Sequence, residues 1–234
     1  MTSPRSLESR LVSVTQPRSS AAEQYRALRT SLEFLGVTAP LRKVLVTSAV
    51  PESGKSLTAA NLALALAQGG RRTLLVDADL RRPTQHHFFG LPNLAGLTTA
   101  ITRGGDLEQY VVDGPLPDLK IMTSGPIPPN PSEILGSGAM RDLLERLEQQ
   151  AEMIVLDSPP VVGFTDAVIL SNRNDGVIYV VRAGFNSRKS DLKALELLRQ
   201  VNARILGVVL NGIKESDEGL SYAYYYSRRP AAPS

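Results

Sequence analysis

The chain has 234 residues, 42% apolar and 21% charged, with 26 basic side chains against 23 acidic ones. Such a composition supports one α/β domain with a sizeable core, and a net charge of +3 is too balanced to point to nucleic acid. The absence of cysteine excludes disulfides, thiolate catalysis, iron–sulfur clusters and cysteine zinc sites. The two histidines, His86 and His87, are adjacent and read as a solvated loop rather than a metal site. No apolar run approaches the ~20 residues that cross a bilayer, and the first twenty residues lack a signal-peptide apolar segment. The expectation is a cytoplasmic chain that reaches a membrane only through a partner.

Residues 1–19, rich in Ser, Pro and Arg, read as an extended arm. Ser20-Ala21-Ala22-Glu23 reads as a capping box with Ser20 as the cap. The helix that follows repeats Ala22, Tyr25, Leu28, Leu32 and Leu35 and should end at Gly36. Strands and helices then alternate. Strands are predicted at 43–47, 73–77, 119–123, 153–156, 176–181 and 204–210. Helices are predicted at 55–68, 98–103, 139–149, 165–171 and 190–201, with Met140, Leu143, Leu144 and Leu147 turned inward. The strands are apolar on both faces, as in a mostly parallel sheet covered by helices on each side. The Pro-rich stretch 115–131 reads as irregular. The domain is placed at 20–215, and 216–234 read as a flexible tail.

Three distant segments place oxygen ligands where a nucleotide's phosphates and metal would sit. Ala49-Val50-Pro51-Glu52-Ser53-Gly54-Lys55-Ser56 follows an apolar strand and opens a long helix. There the loop amides and the helix start would cradle phosphate, Lys55 would reach the β- and γ-phosphates, and the Ser56 hydroxyl would bind magnesium. A chance Gly-Lys-Ser would not explain that flanking pattern. Asp77 and Asp79 lie two apart at the end of the second strand, so they either share a cation or raise one another's pKa; a solvated turn serving Arg81 and Arg82 is the plainer alternative. Asp157 ends a third strand.

In these residues the chain resembles the bacterial tyrosine kinases of capsule and exopolysaccharide assembly. The likeness runs from about Val12 to the C-terminus. That family carries Ala-x-Pro-Gly-x-Gly-Lys-Ser-Thr, here Ala49 to Leu57; Leu-Val-Asp-x-Asp-x-Arg-x-Pro, here Leu75 to Pro83; and a third motif ending in Asp, here Ile154 to Asp157. Its Glu-x-x-Arg-x-x-Arg is similar to Glu23, Arg26 and Arg29, its Pro-Asn-Pro-Ser-Glu-Leu-Leu segment to Pro129 to Leu135, and its tyrosine cluster to Tyr222, Tyr224, Tyr225 and Tyr226. Glu52 replaces the family's first loop glycine and Leu57 its threonine. The resemblance implies a P-loop NTPase fold of deviant Walker A type, MinD/ParA-like, binding ATP or ADP with Mg2+. It implies nucleotide contacts from Pro51, Glu52, Ser53, Gly54, Lys55, Ser56, Leu57 and Asn211, and magnesium ligands Ser56, Asp77 and Asp157. Catalytic roles would fall on Lys55, Asp77, Asp79 and Asp157, with Asp79 taking the phenol proton of an attacking tyrosine. It further implies a homo-oligomeric ring when unphosphorylated, built through Glu23, Arg26 and Arg29. Other expected partners are protein tyrosine substrates and a transmembrane chain-length module, fused or separate, that holds the chain at the inner membrane. Two other readings are a partitioning or positioning ATPase, against which stands the lack of a second Lys in Ala49 to Ser53, and a regulatory module that binds nucleotide without turnover.

Overall fold

In the computed structural model, residues 10–213 are described. The phosphoacceptor candidates Tyr222, Tyr224, Tyr225 and Tyr226 and the expected tail therefore lie outside the described residues. The sheet is built from β1 (Lys43–Ser48), β2 (Thr73–Asp77), β3 (Val112–Asp113), β4 (Leu119–Met122), β5 (Met153–Asp157), β6 (Gly176–Arg182) and β7 (Ile205–Asn211). The order across the sheet is β3-β4-β2-β5-β1-β6-β7. All neighbours pair in parallel except the two-residue β3, which runs antiparallel to β4.

Parallel strands need crossovers, and helices supply them. In chain order the helices are α1 (Val12–Thr15), α2 (Ser20–Thr38), α3 (Lys55–Gln68), α4 (Gln85–Phe88), α5 (Leu97–Arg103), α6 (Pro131–Gly136), α7 (Gly138–Gln150), α8 (Asp166–Ser171) and α9 (Arg188–Gln200). Alternate strand residues feed two apolar layers. Val44, Val46, Leu75, Val155 and Ile178 pack against α2 and α3. Leu45, Leu74, Val76, Ile154 and Leu156 pack under α5, α7, α8 and α9, with Met140, Leu143, Leu144 and Leu147 inward as predicted. Helix α3 is buried on nearly its whole circumference, from Lys55 to Ala67. A helix apolar all round must be covered all round, and α1 and α2 supply the outer cover.

Several expectations change. Ser19, not Ser20, caps α2, its hydroxyl accepting from the Ala22 amide at 3.2 Å. Glu23 does not close a box and pairs with Arg26. Gly36 does not end the helix, which continues to Thr38, because a lone glycine costs only about 1 kcal/mol in a helix that packing supports. The arm is not extended throughout. Residues 12–15 form the single turn α1, tied to α3 through Ser13 and Asn61 and through Gln68 to the Ser13 carbonyl. His86 and His87 stand in α4 rather than a loop, with His86 half-buried. The irregular stretch ends where Pro131 opens α6, a position where its missing N–H costs nothing.

Candidate active site

The C-terminal ends of β1, β2 and β5 lie side by side, with Asp77 directly opposite Asp157 in the register. The loop after β1 turns sharply into α3. Gly54 has φ +91° and its α-carbon is pressed by the Asn211 side chain: a Cβ there would stand 1.9 Å from Asn211 Nδ2. Glycine is thus required twice over. Among the described residues, the backbone amides of Glu52, Ser53, Gly54, Lys55, Ser56 and Leu57 donate to no other group. Six free N–H groups at a helix start form an anion cradle. They border a cavity of about 890 Å3 that Arg81, Arg82 and Arg182 also line. Its size suits a nucleotide.

Within the cradle, Lys55 Nζ donates to Asp79 Oδ2 at 2.8 Å and lies 3.9 Å from Asp157 Oδ1. It also reaches the Ser56 hydroxyl at 3.0 Å. Burial opposes the Lys55 charge, but the carboxylates of Asp157 and Asp79 outweigh it and hold the ammonium above its ordinary pKa. One ammonium cannot satisfy three acids. Burial, reinforced by the Asp157 charge, pushes Asp77 well above the usual carboxylate range. Burial also raises Asp157, against the pull of Lys55. An excess of buried negative charge favours a further cation.

The structure brings Lys55, Ser56, Asp79 and Asp157 together and gives Asp77 different company. Asp77 Oδ1 accepts from the Asp79 amide, and Oδ2 accepts from the amides of Thr84 and Gln85 at 3.0 and 2.9 Å. Asp77 therefore shapes the loop that carries Asp79, in addition to any service to a metal. Asp79 lies past the strand end. Its Oδ1 accepts from the Arg81 and Arg82 amides, leaving Oδ2 toward the cavity. Asp157 Oδ1 is buried without a hydrogen-bond partner, which suits a cation ligand. No three acidic or histidine side chains among the described residues form a metal-binding group by themselves. A magnesium ion, which keeps water and phosphate oxygens in its octahedron, would need only Ser56 and Asp157 directly, with Asp77 behind them.

Two residues of the phosphate loop depart from the expected pattern in telling ways. Glu52 takes φ +63°, the left-handed region, at the position where the resembling family has glycine. Its side chain is exposed, and its carbonyl accepts from Arg182 at 3.1 Å. Leu57 is half-buried against the α2 and α3 layer. Asn211 Nδ2 donates to the Ser53 carbonyl at 3.2 Å and so braces the loop from β7.

Some partners escaped the sequence. Arg81 Nε and Nη2 donate to both oxygens of Asp166 at 2.6 and 3.0 Å, and Ser132 adds a third bond at 2.6 Å. The Arg81 guanidinium also stacks over Phe164, 4.0 Å from its centroid. Gln85, fully buried, donates to Asp157 Oδ2 and to the Ser56 carbonyl. Of these, Arg81 and Ser132 stand in motifs, whereas Gln85, Phe164 and Asp166 stand in none. On α2, Arg26 pairs with Glu23 and donates to the Pro17 carbonyl, while Arg29 donates to Ala65 O and packs on Gly69. Arg29 thus serves the end of α3 inside the fold.

The profile of the CobQ/CobB/MinD/ParA nucleotide binding domain family matches residues 44–229. Tyrosine-protein kinase YwqD of Bacillus subtilis (strain 168) is 41% identical over 94% of this chain and 92% of its own length. The chain belongs to the bacterial tyrosine kinase family. Tyrosine-protein kinase etk of Escherichia coli (strain K12) is 34% identical over 90% of the chain, which spans 29% of that longer protein. The solved kinase domain of the E. coli enzyme superposes with a TM-score of 0.83 at 31% identity, covering 96% of this chain and 83% of that one. MinD from Pyrococcus horikoshii shares the fold at 21% identity and a TM-score of 0.62, over 74% of this chain and 72% of that one. The P-loop fold of this kinase family is therefore the fold here. Among the described residues, no helix is long and apolar enough to cross a membrane.

Proposed function

We propose that this chain is an ATP-dependent protein-tyrosine kinase that modifies its own Tyr222, Tyr224, Tyr225 and Tyr226 between chains, in the service of capsule or exopolysaccharide export. The observation that carries the chemistry is Lys55 held between Asp79 and Asp157 at the mouth of a cradle of free amides. When a triphosphate enters, Lys55 can exchange its carboxylate partner for phosphate oxygens. That leaves Asp79 Oδ2 free to accept a proton. A phenol has a pKa near ~10, so a carboxylate within reach assists by taking the phenol proton as the new O–P bond forms and the bond from the γ-phosphorus to the bridging oxygen of departing ADP breaks. Magnesium bound by Ser56 and Asp157 would neutralise charge on the β- and γ-phosphates. Lys55, Arg182 and the loop amides would orient the nucleotide, and Asn211 would border its base.

Assembly is read from α2, whose exposed Glu23 and half-buried Arg26 suit pairing with a neighbouring copy. Arg29, bonded to Ala65, would act by fixing α2 in place. A membrane chain-length module, fused or separate, would recruit the chain to the inner membrane. Mixing a Lys55→Met chain carrying its tail with an active chain lacking one tests transfer between chains. Phosphotyrosine on the Lys55→Met tail is expected. An unlabelled tail beside a self-labelling full-length chain would place transfer within one chain. Light scattering on Arg26→Ala should show loss of the oligomer in the presence of magnesium.

A further inference from the structure

Gln85 lies outside every motif that identified the site, yet it touches all three. Its backbone amide donates to Asp77 Oδ2 at 2.9 Å, its Nε2 donates to the Ser56 carbonyl at 2.9 Å, and the same Nε2 donates to Asp157 Oδ2 at 2.8 Å. The side chain is fully buried. Its orientation is fixed by chemistry, because both neighbours of Nε2 are acceptors and a flipped amide would set oxygen against oxygen. The consequence is an uneven carboxylate on Asp157. Oδ2 is committed to Gln85, while Oδ1 has no hydrogen-bond partner and stands 3.9 Å from the Lys55 ammonium. Gln85 Oε1 is likewise buried and unpartnered. Two open acceptors in a polar core are costly unless something fills them.

We propose that Gln85 is the positioning residue of the magnesium site: it holds Asp157 by Oδ2, turning Oδ1 to the cation, and ties that carboxylate to the loop presenting the Ser56 hydroxyl. This rests on the nucleotide-and-magnesium reading above and adds to it a residue whose role lies in orientation. An outer partner of a metal ligand typically contributes tenfold to a hundredfold in metal affinity.

The test measures binding of a fluorescent ADP analogue with and without magnesium, alongside melting temperature, in the full chain. Gln85→Met removes the donor at similar length. Gln85→Glu keeps the shape but leaves at most one carboxyl proton for the two acceptors that Nε2 serves, the Ser56 carbonyl and Asp157 Oδ2. In both, the gain in ADP affinity that magnesium brings should fall about tenfold or more, with magnesium-free ADP binding within about twofold of wild type. Should Gln85→Met fail to fold, Gln85→Glu alone decides. A variant that melts earlier but keeps the full magnesium gain overturns the proposal and leaves Gln85 a packing residue. If wild type itself shows no magnesium gain, the inference falls together with the reading beneath it. A gain present in wild type and equal in both variants sinks the inference alone.

Discussion

Two fully buried aspartates near the nucleotide cavity stand in opposite conditions. Asp166 is complete: Arg81 grips both oxygens and Ser132 adds a third bond. Asp157 is unfinished: one oxygen is held by Gln85, the other has no partner, and the nearest cation is shared with Asp79. A satisfied buried pair fixes geometry and has little left to offer a ligand. An unsatisfied one stores a demand that a ligand can meet. Burial alone therefore separates neither; the count of partners does.

The largest effect should come from the unfinished side. Lys55→Met and Asp79→Asn should each lower tail phosphorylation by on the order of a hundredfold or more, the worth of one preorganised catalytic charge, measured with ATP and magnesium against phosphotyrosine. Wild-type rates in either variant would remove that residue from the chemistry. On the finished side, Asp166→Asn should act on stability first. Breaking a buried pair costs about 3–5 kcal/mol, and Arg81, with its side chain 29% exposed, recovers part of that in water. A fall of about 2 kcal/mol remains, or roughly 4–8 °C in melting temperature. Its kinase rate, taken well below that melt, should stay above that of Lys55→Met. The reverse order of activities would erase the distinction between the two aspartates.

The third effect is a pH slope. Asp77 and Asp157 have raised pKa values in the folded chain, so between the ordinary carboxylate value near ~4 and those raised values the folded state binds more protons than the unfolded one. Stability of the nucleotide-free protein should fall as pH rises through that window, opposite to the habit of a salt-bridged acid. The melting temperature of the nucleotide-free protein should fall as the pH is raised from the ordinary carboxylate range toward neutrality. Magnesium-ADP should flatten the slope, and Asp157→Asn should reduce it. Lys55 does not enter this window, since its raised value matters only in alkali.

The smallest effect concerns the loop. Glu52→Gly should relieve left-handed strain of about 1 kcal/mol and raise the melt by roughly 2–4 °C, with tighter ATP binding as a carboxylate leaves the cavity rim. An unchanged melt would mean that Glu52 contacts offset the strain.

Much of this is legible in the sequence alone. Helix α3 and the strands β2 and β5 are apolar runs, with Lys55 and Asp157 at their ends and Asp79 two residues past one, where sequence pattern and strand geometry agree. What stayed hidden shares one cause, the dependence on neighbours distant in the chain. Gln85 resembles any polar loop residue until β2 and β5 are laid side by side. Asp166 gains meaning only from Arg81, on the far side of three strands and four helices. Arg29 stands with Glu23 and Arg26 in a motif that implies a subunit contact, and only the end of α3 beneath it shows the guanidinium bonded within the fold. The antiparallel β3 is two residues long and too short to carry a period.

The contact between Gly54 and Asn211 has a consequence for descent. Two vetoes act on position 54, the backbone angle and the amide resting on it, and they are independent. Shrinking Asn211 would clear the space but leave the angle, so no change at position 211 can license a side chain at 54. The reverse does not hold. With Gly54 in place, position 211 is free to exchange Asn for another small donor that still reaches the Ser53 carbonyl. Across related chains the first position should therefore stand invariant while the second drifts within a narrow set, and pairwise covariation between them should be absent despite their touching.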